Sequence, residues 1–323
     1  MLLNVRHVTQ YVYDEPVSES VMEVWMQPSR TLTQTPITFE LRVDPAVKAF
    51  NYADVYGNQV HHFDIPQPHS KLRIESHASV ETVATSPLPA ALGLEAWDHL
   101  DSESVRGDCW DFLRPDGFTS GSPALDAFVK GRGLHGAREH WDPLTAVHRL
   151  TGCLYEAFDY EPGVTGADSP IDHALAMGRG VCQDFAHIMI AVCRGWGVPA
   201  RYVSGYLFTD QQAGDRSDPD ATHAWVEVFL PNLRWVGFDP TNHCLASERH
   251  ILAAIGRDYA DVPPSRGVFK GGAGSHLSVG VSVRESTAGP AQPEFLRMGA
   301  PAIAAARRRA SDAALMDQYH QQQ

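Results

Sequence analysis

Polar and apolar residues alternate through ITFELRV, residues 37–43, which is the pattern of a strand with one wet face. Two further runs rich in β-branched and aromatic residues, VTQYVY (8–13) and KLRIESHASVETV (71–83), are set off by the turn signals DEP, DP and YGN. Residues 1–85 are therefore expected to form an antiparallel β-rich domain. Residues 86–140 are mixed, with ALGLEAWDHL and SPALDAFVKGR as short helical pieces between Pro and Gly punctuation, and read as a connector.

Beyond residue 140 the period lengthens. PLTAVHRLTGCLYEAF places Leu144, Val147, Leu150 and Leu154 at helical spacing behind Asp142 as a cap. CQDFAHIMIAVCRGWG carries Phe185, Ile188, Met189, Val192 and Trp196 on one face, and Gly195 and Gly197 stop it. The strand-like runs ARYVSGYLF, HAWVEVFL and RWVGFD follow, with the polar loop TDQQAGDRSDPD between the first two. A helix followed by antiparallel strands makes residues 141–287 an α+β core. Residues 288–323 are a tail, helical or frayed, to which no function is assigned.

Composition narrows the classes of function. The 323 residues are 43% hydrophobic, enough for a large core and for more than one folded unit. A formal charge of −13, from 39 acidic against 26 basic residues, argues against nucleic acid as a partner. No run of about 18 apolar residues occurs, and the first residues lack a cationic start, an apolar run and a cleavage site; neither membrane insertion nor export is expected. The five cysteines are odd in number and scattered, which fits reduced thiols and a cytoplasmic location. Oligomeric state leaves no mark on the sequence.

Chemistry concentrates at GRGVCQDFAH. Cys182 stands in the first turn of the helix, with Gly178 and Gly180 just before it to let the backbone turn. The free N–H groups and positive dipole end of a helix favour a thiolate and can hold an oxyanion. Cys193 lies inside the helix, and Cys109, Cys153 and Cys244 lack a Gly-flanked helix start; these four read as structural. Thiolate chemistry on an acyl group needs a base, and His223 opens the strand HAWVEVFL directly after the polar loop, with its ring expected at a domain surface. Asp239 ends the next strand, where antiparallel pairing brings it to His223 as the group that orients the ring. Each residue has a plainer use: a small buried thiol, a polar strand boundary, an Asp-Pro turn. Asp184 reads first as favourable charge in the first turn and second as a hydrogen-bond acceptor at the helix start. Trp225 and Trp235 are expected to pack beneath the His and Asp, and Tyr160, in FDYEPG, is a candidate second oxyanion donor.

GVCQDFAH, ARYVSGY and THAWVEVFLPNLRWVGFDPTN together resemble the catalytic core of the transglutaminase-like superfamily, which has a papain-like fold. The likeness spans residues 160–242, and the β-rich N-terminal stretch resembles the extra domain that precedes this core in bacterial members. The resemblance implies Cys182 as nucleophile, His223 as general base and acid, and Asp239 as orienter. It implies acyl transfer from a peptide or glutamine carboxamide through a thioester, by a transglutaminase-like enzyme or a cysteine protease or amidase. The acyl-binding groove is expected from the loop at residues 210–221 and from the connector. No CxxC, HExxH or EF-hand pattern occurs, so no metal or other cofactor is expected. Two readings from other classes are a non-catalytic peptide-binding module with the same fold and a zinc-binding protein using Cys182 and His223.

Overall fold

The computed structural model describes residues 1–209, 214–272 and 274–286; the tail at 288–323 lies outside them. The chain begins with six strands, β1 Leu2–Val17, β2 Glu19–Val24, β3 Gln34–Asp44, β4 Phe50–Ala53, β5 Gln59–Ile65 and β6 His69–Thr82. Helices α1 Ala96–Leu100, α2 Glu103–Asp108, α3 Pro123–Gly131, α4 Ala137–His140 and α5 Pro143–Ala157 follow. Next come the short strand β7 Asp159–Tyr160, helix α6 Ile171–Met177, the short strand β8 Arg179–Gly180 and helix α7 Cys182–Gly195. The strands β9 Ala200–Leu207, β10 His223–Leu230, β11 Arg234–Asp239, β12 Cys244–Leu245, β13 His250–Gly256, β14 Ser265–Lys270 and β15 Ser275–Glu285 complete the described chain.

Two four-stranded antiparallel sheets, ordered β15-β1-β6-β3 and β14-β2-β5-β4, form the β-rich part. Alternate residues of β6 are buried, and Leu72 and Ile74 meet Met22, Val24, Phe63 and Ile65 in one apolar cluster between the sheets. Both sheets are completed from the far end of the chain. β14 pairs with β2 and β15 with β1, although by sequence both strands fall inside the 141–287 segment. Antiparallel pairing does not care about separation along the chain, so local pattern does not show this closure.

The core is a five-stranded sheet, β12-β11-β10-β9-β13, with α7 packed on β9 and β10 and α3, α5 and α6 packed on α7. Every residue of α7 from Asp184 to Arg194 is buried, because the other helices cover the side that does not face the sheet. The segment 86–140, read as a connector, supplies Trp97, Leu100, Val105, Leu125, Leu134 and Ala137 to this apolar core. Asp142 caps α5 by accepting from the N–H groups of Leu144 and Thr145. Among the described residues, no helix is long and apolar enough to cross a membrane.

Two amides join the β-rich part to the core. Gln34 pairs with both backbone groups of Leu252, and Asn58 with both of Ile255, all at 2.8 Å. Each side chain imitates a neighbouring strand on the edge of β13, satisfying groups that burial would otherwise leave unpaired. Arg194 performs the same service at the end of α7. Its buried guanidinium donates to the carbonyls of Phe112, Arg114, Ala200 and Arg257 and to Thr119 Oγ1 at 2.6–3.1 Å. Burial pulls its pKa down to about 10, so the charge persists at neutral pH. Arg194→Met is expected to strand several of these acceptors and cost at least about 3 kcal/mol, read as a lowered urea midpoint with an unchanged slope.

Candidate active site

Cys182 is the first residue of α7 and is partly exposed. Gly178 has φ +67°, a left-handed turn that a side chain would strain. Gly180 serves differently from the tight turn read in the sequence: a Cβ there would stand 2.6 Å from Asp184 Oδ2. That oxygen is held in place by the N–H of Val181 at 2.8 Å and the hydroxyl of Thr165 at 2.6 Å. Asp184 thus pins the entrance to α7 and the loop carrying Thr165, and burial pushes its carboxyl upward despite both bonds. The N–H groups of Cys182 and Gln183 begin the helix with no preceding turn to accept them, and both residues border the same cleft.

His223 Nε2 lies 2.7 Å from Asp239 Oδ2. The ring is 3% exposed and the carboxylate fully buried, so the ring sits beneath the cleft and not at the surface expected for a strand start. Its Nδ1 faces Ser217 Oγ at 3.3 Å, and the Cys182 thiol is a hydrogen-bonding neighbour of the ring. Burial disfavours a charged ring, but the charge and hydrogen bond of Asp239 together with those of Cys182 outweigh it and raise the pKa to about 10. Burial would raise Asp239, yet His223 and His250 carry it well below the usual carboxylate range.

The carboxylate is the hub of a larger network. Oδ1 accepts from the N–H groups of Thr241 and Asn242 at 2.9 and 3.1 Å. Oδ2 accepts from Asn242 Nδ2 at 2.7 Å and from His250 Nε2 at 3.2 Å as well as from His223. His250 Nδ1 accepts the N–H of Ser247 at 3.1 Å, which fixes the proton on Nε2. Burial lowers its pKa, so this contact is a hydrogen bond from a neutral ring, not an ion pair. Asn242 Nδ2 also donates to Ser217 Oγ at 2.9 Å, closing a ring of contacts around His223. Neither His250 nor Asn242 was singled out from the sequence, where each is one polar residue near a turn.

Cys182 and His223 share a cleft of about 290 Å³ with Tyr160 and Tyr202, and Asp239 lies buried behind the ring. Burial holds both phenols above the ordinary tyrosine range, and the neighbouring Cys182 adds to the rise. Tyr160 Oη accepts the N–H of Asp218 at 3.3 Å, leaving its own proton to be donated elsewhere. In ARYVSGYLF nothing but the alternation of Tyr202, Ser204 and Tyr206, which places all three on one face of β9, marks Tyr202 as a cleft residue. Trp225 stacks on His223 at 6.0 Å between centroids and meets His250 edge-on at 5.2 Å. Trp235 does not join it; it packs against Phe229, Phe112 and Arg201 at the other end of the hairpin. The loop supplies Asp218 and Ala221 to the cleft as expected, but the opposite wall comes from β1, β14 and β15 and not from the connector. Residues 210–213 of that loop lie outside the described residues.

Among the described residues, one group of potential metal ligands clusters within 4.8 Å: His223, Asp239 and His250. Each ligand atom there is already engaged in N–H donation or acceptance, and a cation would have to displace the protons of two rings and the amide of Asn242. Cys182 does not belong to the group. The donor set fits a hydrogen-bonded carboxylate better than a metal site.

Residues 135–240 match the family described as Transglutaminase-like superfamily, and residues 3–81 match the Bacterial transglutaminase-like N-terminal region. An uncharacterized protein of Mycobacterium leprae is 34% identical over 87% of this chain and 98% of its own length. A Protein-glutamine gamma-glutamyltransferase of Pseudomonas aeruginosa is 32% identical over 43% of this chain, which spans 24% of that protein. A crystal structure from Cytophaga hutchinsonii, described provisionally as a cysteine protease, superposes with a TM-score of 0.68 at 22% identity, covering 90% of this chain and 93% of that one. That likeness establishes the papain-like α+β architecture.

Proposed function

Because this chain belongs to the transglutaminase-like superfamily, whose members are generally cysteine enzymes, we propose that it catalyses acyl transfer through a thioester on Cys182. The observation that carries the reading is the buried His223–Asp239 pair, 2.7 Å apart, with His223 and Cys182 lining the same cleft. In the proposed sequence, His223 holds the proton given up by the Cys182 thiol, and sulfur attacks a carboxamide or peptide carbonyl. The oxyanion is held by the backbone N–H of Cys182 and by a phenol, from Tyr160 or Tyr202. Collapse expels the amine, protonated by His223, and leaves the thioester. A second nucleophile, water or a primary amine, then gives its proton to His223 and releases the acyl group.

Asp239 keeps a proton on Nε2 and so directs Nδ1 toward sulfur. The substrate class that this supports is a peptide or protein carrying a glutamine or another accessible amide. Five free thiols, with no disulfide among the described residues, support a reducing, cytoplasmic setting.

The test is a glutamine-containing peptide supplied with and without a primary amine, followed by ammonia release and product mass. Amine-linked product identifies transamidation, and deamidated or cleaved peptide identifies hydrolysis; either supports the reading. Absence of all products together with absence of an acyl adduct on Cys182 contradicts it.

A further inference from the structure

The wall of the cleft facing Cys182 ends in an unfinished sheet. Among the described residues, β15 is the outer strand of its sheet and is paired as a strand on one side only, with β1. In an antiparallel ladder, successive residues turn their backbone N–H and C=O alternately to the two sides. The N–H of Val281 donates to the carbonyl of Asp220 at 2.8 Å, so Val281 faces away from β1. Val279 and Leu277, two and four positions earlier, face the same way.

Three observations say what fits there. The edge already binds a backbone carbonyl, that of Asp220, in the loop leading to His223. The Leu277 and Val279 side chains, in register with Tyr11 and Thr9, are 56% and 48% exposed and line the cleft that contains Cys182. The stretch SHLSVG, residues 275–280, has no Lys, Arg, Asp, Glu or Pro, the residues with which exposed edges are ordinarily protected against pairing.

We propose that the free edge of β15 at Leu277 and Val279 is the acyl-donor subsite, and that it takes a peptide segment in extended conformation, added to the sheet as one more strand. The inference rests on the cysteine acyl-transfer reading and narrows its substrate. Backbone pairing to Val279 supplies affinity whatever the sequence, and the two apolar side chains favour an apolar residue on the peptide face turned toward them. A small amide or ester has no backbone to pair and gains nothing from the edge.

Val279→Pro tests this directly. It removes an outward-facing N–H, while Ser278 and Gly280 keep the ladder to β1, and proline is tolerated on edge strands. Wild type and variant are compared on an extended glutamine peptide and on p-nitrophenyl acetate. The expected result is about a tenfold fall in kcat/KM for the peptide, carried mainly by KM, with the ester rate unchanged. Wild-type protein with peptides N-methylated at one backbone amide at a time gives a second readout free of folding effects: one position loses about tenfold. Equal slowing of peptide and ester, or no effect of either modification, overturns the subsite. A concentration-dependent dimer that Val279→Pro disperses assigns the edge to a second copy and also overturns it. A wild-type protein acylated by neither donor fails the cysteine-enzyme reading itself, and the subsite with it.

Discussion

Cys182→Ala lowers peptide turnover by on the order of 10⁴-fold or more, with thermal stability nearly unchanged. The size follows from what is removed. The proposed reaction has no path around the thioester, and the remaining helix N–H groups, phenols and His223 can only polarise the carbonyl toward water. The small stability effect follows from position: Cys182 is partly exposed at the start of α7, whereas the packing of that helix comes from residues 184–194. No other cysteine can take over. Burial pushes the thiols of Cys109 and Cys153 up and those of Cys193 and Cys244 up to about 12. Steady-state rates on the peptide and a melting curve check both halves; retained turnover contradicts the proposed nucleophile.

Asp239→Asn is expected to cost about 10⁴-fold in kcat while changing the cleft little. A neutral amide can donate its own N–H to Nε2, which leaves the ring proton on Nδ1, pointing at the sulfur it should serve. The variant also reveals the pH dependence. In the wild type His223 is raised to about 10, with burial opposed by Asp239 and Cys182. The ring is therefore protonated below that value, and activity that depends on its proton falls as pH rises through about 10. With Asp239 neutralised, its charge no longer offsets the burial of the ring, and the alkaline limb moves down toward or below the ordinary histidine value of about 6.5. A pH–rate profile of the residual activity measures the shift. An alkaline limb that stays in place contradicts the assignment of Asp239 as the source of the raised ring.

The nucleophile helix and the two strands after it were legible because each carries a strong local pattern: apolar residues at helical spacing behind Cys182, and alternation in HAWVEVFL and RWVGFD. Cys182, His223 and Asp239 fall at the ends of those elements, where Gly178 and Gly180, the polar loop before His223 and the Asp239-Pro240 step mark the boundaries. His250 could not be found that way, because its importance comes from meeting the Asp239 carboxylate once the sheet β11-β10-β9-β13 has formed; Asn242 lies three residues past Asp239, and its side-chain contacts belong to the turn after β11. The N-terminal sheets were legible as strands but not as pairings. SHLSVGVSV alternates as an edge strand should, yet nothing local says that it lies beside VTQYVY. For the same reason the cleft wall was sought in the connector, when it comes from the first strand and the last two described strands. The ring of His223 is expected at a surface because strand starts are usually wet; here Trp225, His250 and Asp239 surround it.

The most direct measurement is the rate of iodoacetamide labelling at each cysteine, resolved by peptide mass spectrometry, in wild type and His223→Ala at neutral pH. It needs no substrate. Cys182 is expected to label well ahead of the partly exposed Cys153 and Cys244, and to lose that advantage with the imidazole. If Cys182 labels no faster than those two, or keeps its advantage without His223, the pair at the centre of this account is not the working unit of an enzyme.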